Sequence, residues 1–222
     1  MHYLSDRFQP AERRLIWIAA LVLLPVFFLP VLPIWVMKLW APQYREGLTL
    51  QIFANTIRGD LQSINTLNHY VGMHHITAED FGEFRYMPQA LTLFGVLALI
   101  AALVNRRWIA FLGWLGFTGF AVMMFSDYAR WLYHYGHDLD PRAPIKLALF
   151  TPPLIGWKQM ANFKVLSLPG PGTLLLGVAW LLGPIAIALE MRDAKRMARA
   201  SLPVTPRSGD AGNTGVATAS GA

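Results

Sequence analysis

Five of the six histidines of this chain fall in two clusters far apart in sequence. His69, His74 and His75 lie in Asn68-His-Tyr-Val-Gly-Met-His-His75, and His134 and His137 lie in Tyr133-His-Tyr-Gly-His-Asp138. Imidazole nitrogens ligate transition metals, and a thioether such as Met73 adds a soft donor that favours copper, Cu(I) above all. The chain has no cysteine. Structural disulfides, thiolate zinc or iron–sulfur sites and covalent c-type haem attachment are therefore excluded, and soft-metal chemistry must come from Met and His.

Local spacing suggests how the donors would be presented. Asp60 is a plausible N-cap for a helix whose apolar face is Leu61, Ile64, Leu67 and Val71. Asn65, His69 and Met73 then follow at i, i+4 steps along a second stripe, and Gly72 lets the backbone turn so that Met73, His74 or His75 closes round the same point. In the second cluster His134 and Asp138 are i, i+4 and His137 is i+3 from His134. The expected metal donors are His69, Met73, His74, His75, His134 and His137, with Asn65 and Asp138 as the hydrogen-bonding groups that orient them. Met87 and Met160 are further thioethers within range. The competing reading is ordinary: hydrogen-bonded surface histidines, and a solvated helix end with an Asp127–Arg130 pair.

Positioning these donors falls to the hydrophobic segments. Of 222 residues 55% are apolar, eight are Trp and only 14% are charged, too apolar for a soluble domain of this size. A bilayer-spanning helix takes about 20 apolar residues because only a helix satisfies its own backbone in lipid. The expected fold class is an all-α integral membrane protein with four transmembrane helices, 15–35, 89–104, 108–125 and 173–189. The tight 105–107 turn makes the middle two an antiparallel hairpin, and Gly113, Gly116 and Gly119 give the third a smooth packing face. Arg13 and Arg14, Arg106 and Arg107, and Arg192 to Arg199 flank the spans on one side. The positive-inside tendency puts residues 1–14, this turn and the 190–222 tail in the cytoplasm. Connections 36–88 and 126–172 then become two long, partly structured periplasmic loops carrying both histidine clusters. The formal charge of +6 is absorbed by these rims, so nucleic-acid binding is not expected. The first segment lacks a cleavage site and reads as an uncleaved anchor, and the tail from Ser201 reads as disordered.

Within the loops, Gly47 to Phe53 alternates as a short strand does, and Thr77 to Asp80 looks like a capped helix start. Residues 143–171 are too apolar to float in water and should lie on the bilayer surface, fold back over the helix bundle or meet a partner protein. Leu154, Ile155, Trp157 and Phe163 are the expected contacts with a partner or with the bilayer surface.

Leu67-Asn-His-Tyr-Val-Gly-Met73, Gly136-His-Asp-Leu-Asp-Pro141 and Pro152-Pro-Leu-Ile-Gly-Trp-Lys-Gln-Met-Ala-Asn-Phe163 together resemble a group of poorly characterised bacterial inner-membrane proteins. Some of these accompany the copper-handling accessory genes of nitrous oxide reductase. The resemblance covers residues 40–172 and implies a periplasmic helper near copper or electron transfer, with no catalytic residues to carry over. Three functions follow in order of preference. The first is an accessory protein holding or passing copper for a respiratory cuproenzyme. The second is a metal-free anchor or assembly subunit of a larger membrane complex, and the third is a metal-dependent oxidoreductase.

Overall fold

The computed structural model describes residues 7–8, 10–23, 32–160 and 162–200. Helix α1 (Pro10–Leu23) begins on a proline, whose fixed φ suits a first helical turn. Strands β1 (Trp35–Ala41) and β2 (Tyr44–Ile52) form a hairpin, and β3 (Ile57–Gly59) follows. Helix α2 (Leu61–Val71) and a 3-10 turn (Ala78–Asp80) lead into α3 (Glu83–Val104) and α4 (Arg107–His137). A second hairpin, β4 (Gly156–Met160) with β5 (Phe163–Pro169), precedes α5 (Pro171–Ala200).

The expectation of an all-α, four-span protein is overturned. The two connections read as loops between spans build one five-stranded antiparallel sheet, in the order β3-β2-β1-β5-β4. Its central strand, β1, was read as the exit of a first membrane helix. The described part of that helix ends at Leu23, residues 24–31 lie outside the described set, and Trp35 already starts the strand. The misreading has a physical cause: Trp35-Val-Met-Lys-Leu-Trp-Ala41 is apolar enough to pass as a helix end, yet its period is two. Trp35, Met37, Leu39 and Ala41 turn to the core, while Lys38 and Trp40 face the other way, Lys38 over the Trp40 ring and Trp40 stacked on Trp157. Residues 143–171 are likewise not a surface-lying stretch throughout, because β5 pairs with β1 and buries Val165 and Ser167.

β1 joins the two halves of the chain. Trp35 stands opposite Ile52 on one side and Pro169 on the other. Its indole N–H donates to Ser167 Oγ at 2.7 Å, the Tyr128 hydroxyl lies 3.1 Å from the same atom, and Ser167 donates to the Leu154 carbonyl. Ser167 is fully buried, and the Trp35 ring packs on Tyr128 and Phe125 of α4.

Among the described residues two helices are long and apolar enough to cross a membrane, α3 and α4; the apolar part of α5 is shorter, Pro171–Ala186. Only 22% and 6% of their most apolar stretches are buried. α1 lies along α3 and α5, and α3 along α4. Gly116 packs under Phe94 as a smooth face should, whereas Gly119 meets nothing. At the far end from the sheet, Glu12 is 2% exposed and pairs with Arg107 at 3.0 Å, while Arg13 donates to the Ala102 carbonyl. Two of the arginines read as rim charges thus also hold α1 against the α3–α4 turn.

Ser167→Ala leaves the buried Trp35 N–H without its acceptor and should cost about 1–3 kcal/mol. Denaturant unfolding of the detergent-solubilised protein checks this, and an unchanged midpoint would contradict the account.

Candidate metal centre

The two histidine clusters meet. His74, His134 and Asp138 each offer one ligand atom, and these atoms lie within 4.8 Å of one another. Asp138 Oδ2 is 3.1 Å from His74 Nε2 and 3.7 Å from His134 Nε2, and the two imidazoles stack nearly parallel with centroids 5.7 Å apart. Tetrahedral ligands with bonds of about 2.0–2.2 Å stand roughly 3.3–3.6 Å apart, so small side-chain rotations would close this trio on an ion. The side chains of His74, His134 and Asp138 are 58%, 50% and 59% exposed, which leaves positions for water or a second ligand.

Each member is placed by its own local structure. α4 continues past its apolar stretch to His137, so His134 and Asp138 share one helical face by i, i+4 spacing. His74 arrives through the end of α2, where Gly72 adopts a left-handed conformation at φ 81° and the Met73 N–H returns to the Asn68 carbonyl. The buried Asn68 amide donates to the His74 carbonyl, and Asn65 clamps Ile76 with both halves of its amide, at 2.7 and 3.0 Å. Asp60 stands at the start of α2, but its carboxylate accepts the Thr49 N–H and caps no helical amide.

Backbone bonds then tie the two segments together. Asp140 N–H donates to the Gly72 carbonyl and Ile145 N–H to the Tyr70 carbonyl. A Cβ on Gly72 would sit 2.8 Å from Ala143 Cβ, and one on Gly136 would sit 1.7 Å from the Phe150 carbonyl oxygen. Both contacts require glycine. The Tyr135 hydroxyl donates to the His75 carbonyl at 3.2 Å; burial, helped by the charge of Asp80, pushes its pKa up to about 12, so it stays a neutral donor. The Asp140 carboxyl is held below the usual carboxylate range, first by the Arg142 backbone N–H and then by its guanidinium.

The other expected donors are not in the trio. Because α2 ends at Val71, the Asn65–His69–Met73 stripe breaks at its last step, and the Met73 side chain lines an interior cavity. His69 and His75 face each other edge-on at 6.5 Å, and His137 stacks on Tyr133 with its Nδ1 2.9 Å from that residue's carbonyl. Met87 also lines the cavity. Asn65 orients backbone and touches no imidazole, whereas Asp138, expected only as a supporting group, stands among the donors. Of the expected partner contacts, Phe163 packs on the core and Leu154 is half-buried, while Ile155 and Trp157 are exposed beside the sheet edge. Tyr135 and Gly136 went unnoticed as positioning residues; Gly136 between His134 and His137 was the visible signal.

Two imidazoles and a carboxylate with open positions form a set for borderline ions such as Zn²⁺, Cu²⁺, Ni²⁺ or Fe²⁺. Comparison with family models, with curated proteins and with solved structures finds no match for this chain. Function is therefore argued from the site.

Gly72→Ala should destabilise the fold by about 1–2 kcal/mol from the left-handed backbone alone, with more from the Ala143 contact, and should separate His74 from Asp138; thermal unfolding and metal affinity both check it. Tyr135 has a folded-state pKa above its unfolded value. Its contribution is thus complete below about pH 10 and lost as the pH climbs through about 12. Tyr135→Phe should remove part of that alkaline loss in unfolding curves measured from pH 9 to 12.

Proposed function

We propose that this protein holds a copper ion at the outer face of a bacterial inner membrane, on His74, His134 and Asp138, for transfer to a periplasmic or membrane cuproenzyme. One observation carries the reading: the chain folds so that two imidazoles and a carboxylate from segments far apart in sequence converge on one point. Among divalent first-row ions such a nitrogen–oxygen set binds Cu²⁺ most tightly. The half-exposed donors suit an ion that is handed on, because permanent structural sites are closed by four protein ligands.

Membrane placement is supported by the apolar residues that α3 and α4 turn outward, Leu93, Val96 and Leu103 on one and Phe111, Leu112 and Leu115 on the other. With Arg106 and Arg107 of the turn on the cytoplasmic side, the sheet and the metal-binding trio come to lie on the periplasmic side. A second reading, a metal-free subunit that docks a larger complex, draws support from Ile155 and Trp157, both exposed at the edge strand β4. Stoichiometric partners co-purifying from metal-depleted cells, and lost with Trp157→Ala, would favour it.

The test is a competition titration of detergent-purified, metal-stripped protein with Cu²⁺, Zn²⁺ and Ni²⁺, beside carbonate extraction of membranes to check anchorage. About one equivalent of Cu²⁺ should bind. His74→Ala, His134→Ala and Asp138→Asn should each weaken it by roughly tenfold or more, while His69→Ala/Met73→Ala should stay close to wild type. Affinity should fall as the medium is acidified, because the ion displaces protons from imidazole. Copper binding indifferent to His74 and His134 would overturn the site.

A further inference from the structure

A cavity of about 700 Å³ lies between the inner face of the sheet and helices α2, α3 and α4. Its walls are almost wholly apolar, with Leu48, Leu50 and Ile57 on the sheet side and Met87, Leu91 and Phe117 on the helix side. That volume falls within the roughly 300–1,000 Å³ of small-molecule pockets. The cavity is open on one side, and walls this apolar offer water few partners and suit an apolar occupant.

The cavity reaches the outward side of the helical layer. α4 and α5 meet where the Trp114 indole donates to the Trp180 carbonyl and the Trp180 indole donates to Thr118. Toward the sheet from that level, Val122 and Phe125 of α4 and Thr173 and Leu176 of α5 line the cavity, and Val122 and Phe125 are also exposed on the apolar face of α4. Its mouth therefore opens where hydrocarbon would lie.

One group in the cavity wall lacks a partner. Glu83 Oε1 accepts the Trp131 indole N–H at 3.4 Å and is 3.7 Å from the Arg130 guanidinium, but its buried Oε2 has no hydrogen-bond partner. Asp127, also in the wall, is engaged by Arg130 at 2.5 Å. The Glu83 side chain is a quarter exposed, so a ligand head can reach the carboxylate and supply a donor that the protein does not.

We propose that the cavity binds an amphiphile with one long apolar chain and a head that donates a hydrogen bond, a hydroxyl or an amine, to Glu83. Entry from the bilayer rests on the membrane placement above; binding does not depend on the metal site. A carboxylate-headed chain of equal length is disfavoured, because it brings a second negative charge to Glu83 and Asp127.

Purified full-length protein in detergent, irradiated with hexadecanol carrying a terminal diazirine, should be labelled saturably on β2 and β3, at Leu48, Leu50 or Ile57. Those strands lie outside the apolar helical layer, so lipid adhering to the outer faces does not account for labels there. Unlabelled hexadecanol or hexadecylamine should compete at concentrations at least tenfold lower than palmitate, and Glu83→Ala should erase that preference. Leu50→Trp, which fills the cavity, should abolish the strand labels; Val122→Trp at the mouth serves if the first variant does not fold. Labels confined to outward residues such as Leu93 and Leu112, or strand labels that persist in the filled variant, would overturn the cavity assignment. Equal competition by palmitate would overturn the head-group assignment. Carbonate extraction reports the membrane placement separately, so failure of that reading and failure of this one are distinguishable.

Discussion

β1 needs hydrogen-bonding partners on both of its edges, and that requirement organises the molecule. A central strand leaves no backbone donor or acceptor to water, so it must recruit β2 from its own hairpin and β5 from more than a hundred residues away. The buried Trp35–Ser167 hydrogen bond, with the Tyr128 hydroxyl beside it, fixes where β5 stops against β1 and where α4 stands above the sheet. Once β5 is docked, the segment from Gly136 to Gly156 has to cross over α2. The Gly72–Asp140 and Tyr70–Ile145 backbone bonds, and with them the meeting of His74 with Asp138, follow from that crossing.

The helical layer obeys a different physics. α3 and α4 present large apolar side chains outward with little burial, and what holds them together is contact between small and large residues, as at Gly116 beneath Phe94. A similar closeness recurs where Gly183 lets Trp114 lie against α5. Toward the sheet that contact gives way to the cavity, beside the core in which Leu48, Leu50 and Ile57 pack against Ile64 and Leu67 of α2. The exposed His74–His134–Asp138 trio and the apolar cavity are separated by Tyr135, which lines the cavity and whose hydroxyl ties down the histidine loop.

Much of this was legible in the residues. The apolar runs of α3 and α4, the Asn105-Arg106-Arg107 turn between them, the amphipathic α2 and the i, i+4 relation of His134 to Asp138 all follow from local periodicity. What misled was the apolar run entering β1. Hydrophobicity sufficient for a membrane helix hid a period of two. The Asn65–His69–Met73 stripe assumed a helix continuing through Gly72, and glycine at that point ends it.

The sequence by itself determined the chemistry on offer: a cysteine-free chain with clustered imidazoles, a carboxylate one helical turn beyond His134, and two long apolar helices. Those are properties of residue type and short-range spacing. Which imidazoles meet, that Asp138 stands beside them, that the connections form a sheet, and that a cavity lined in part by Glu83 opens beneath it were decided only by the tertiary structure. The reason is that each depends on the pairing of β1 with β5, a contact between distant segments whose register is set by backbone hydrogen bonding and buried side-chain fit. Neither of these leaves a mark within a window of a few residues.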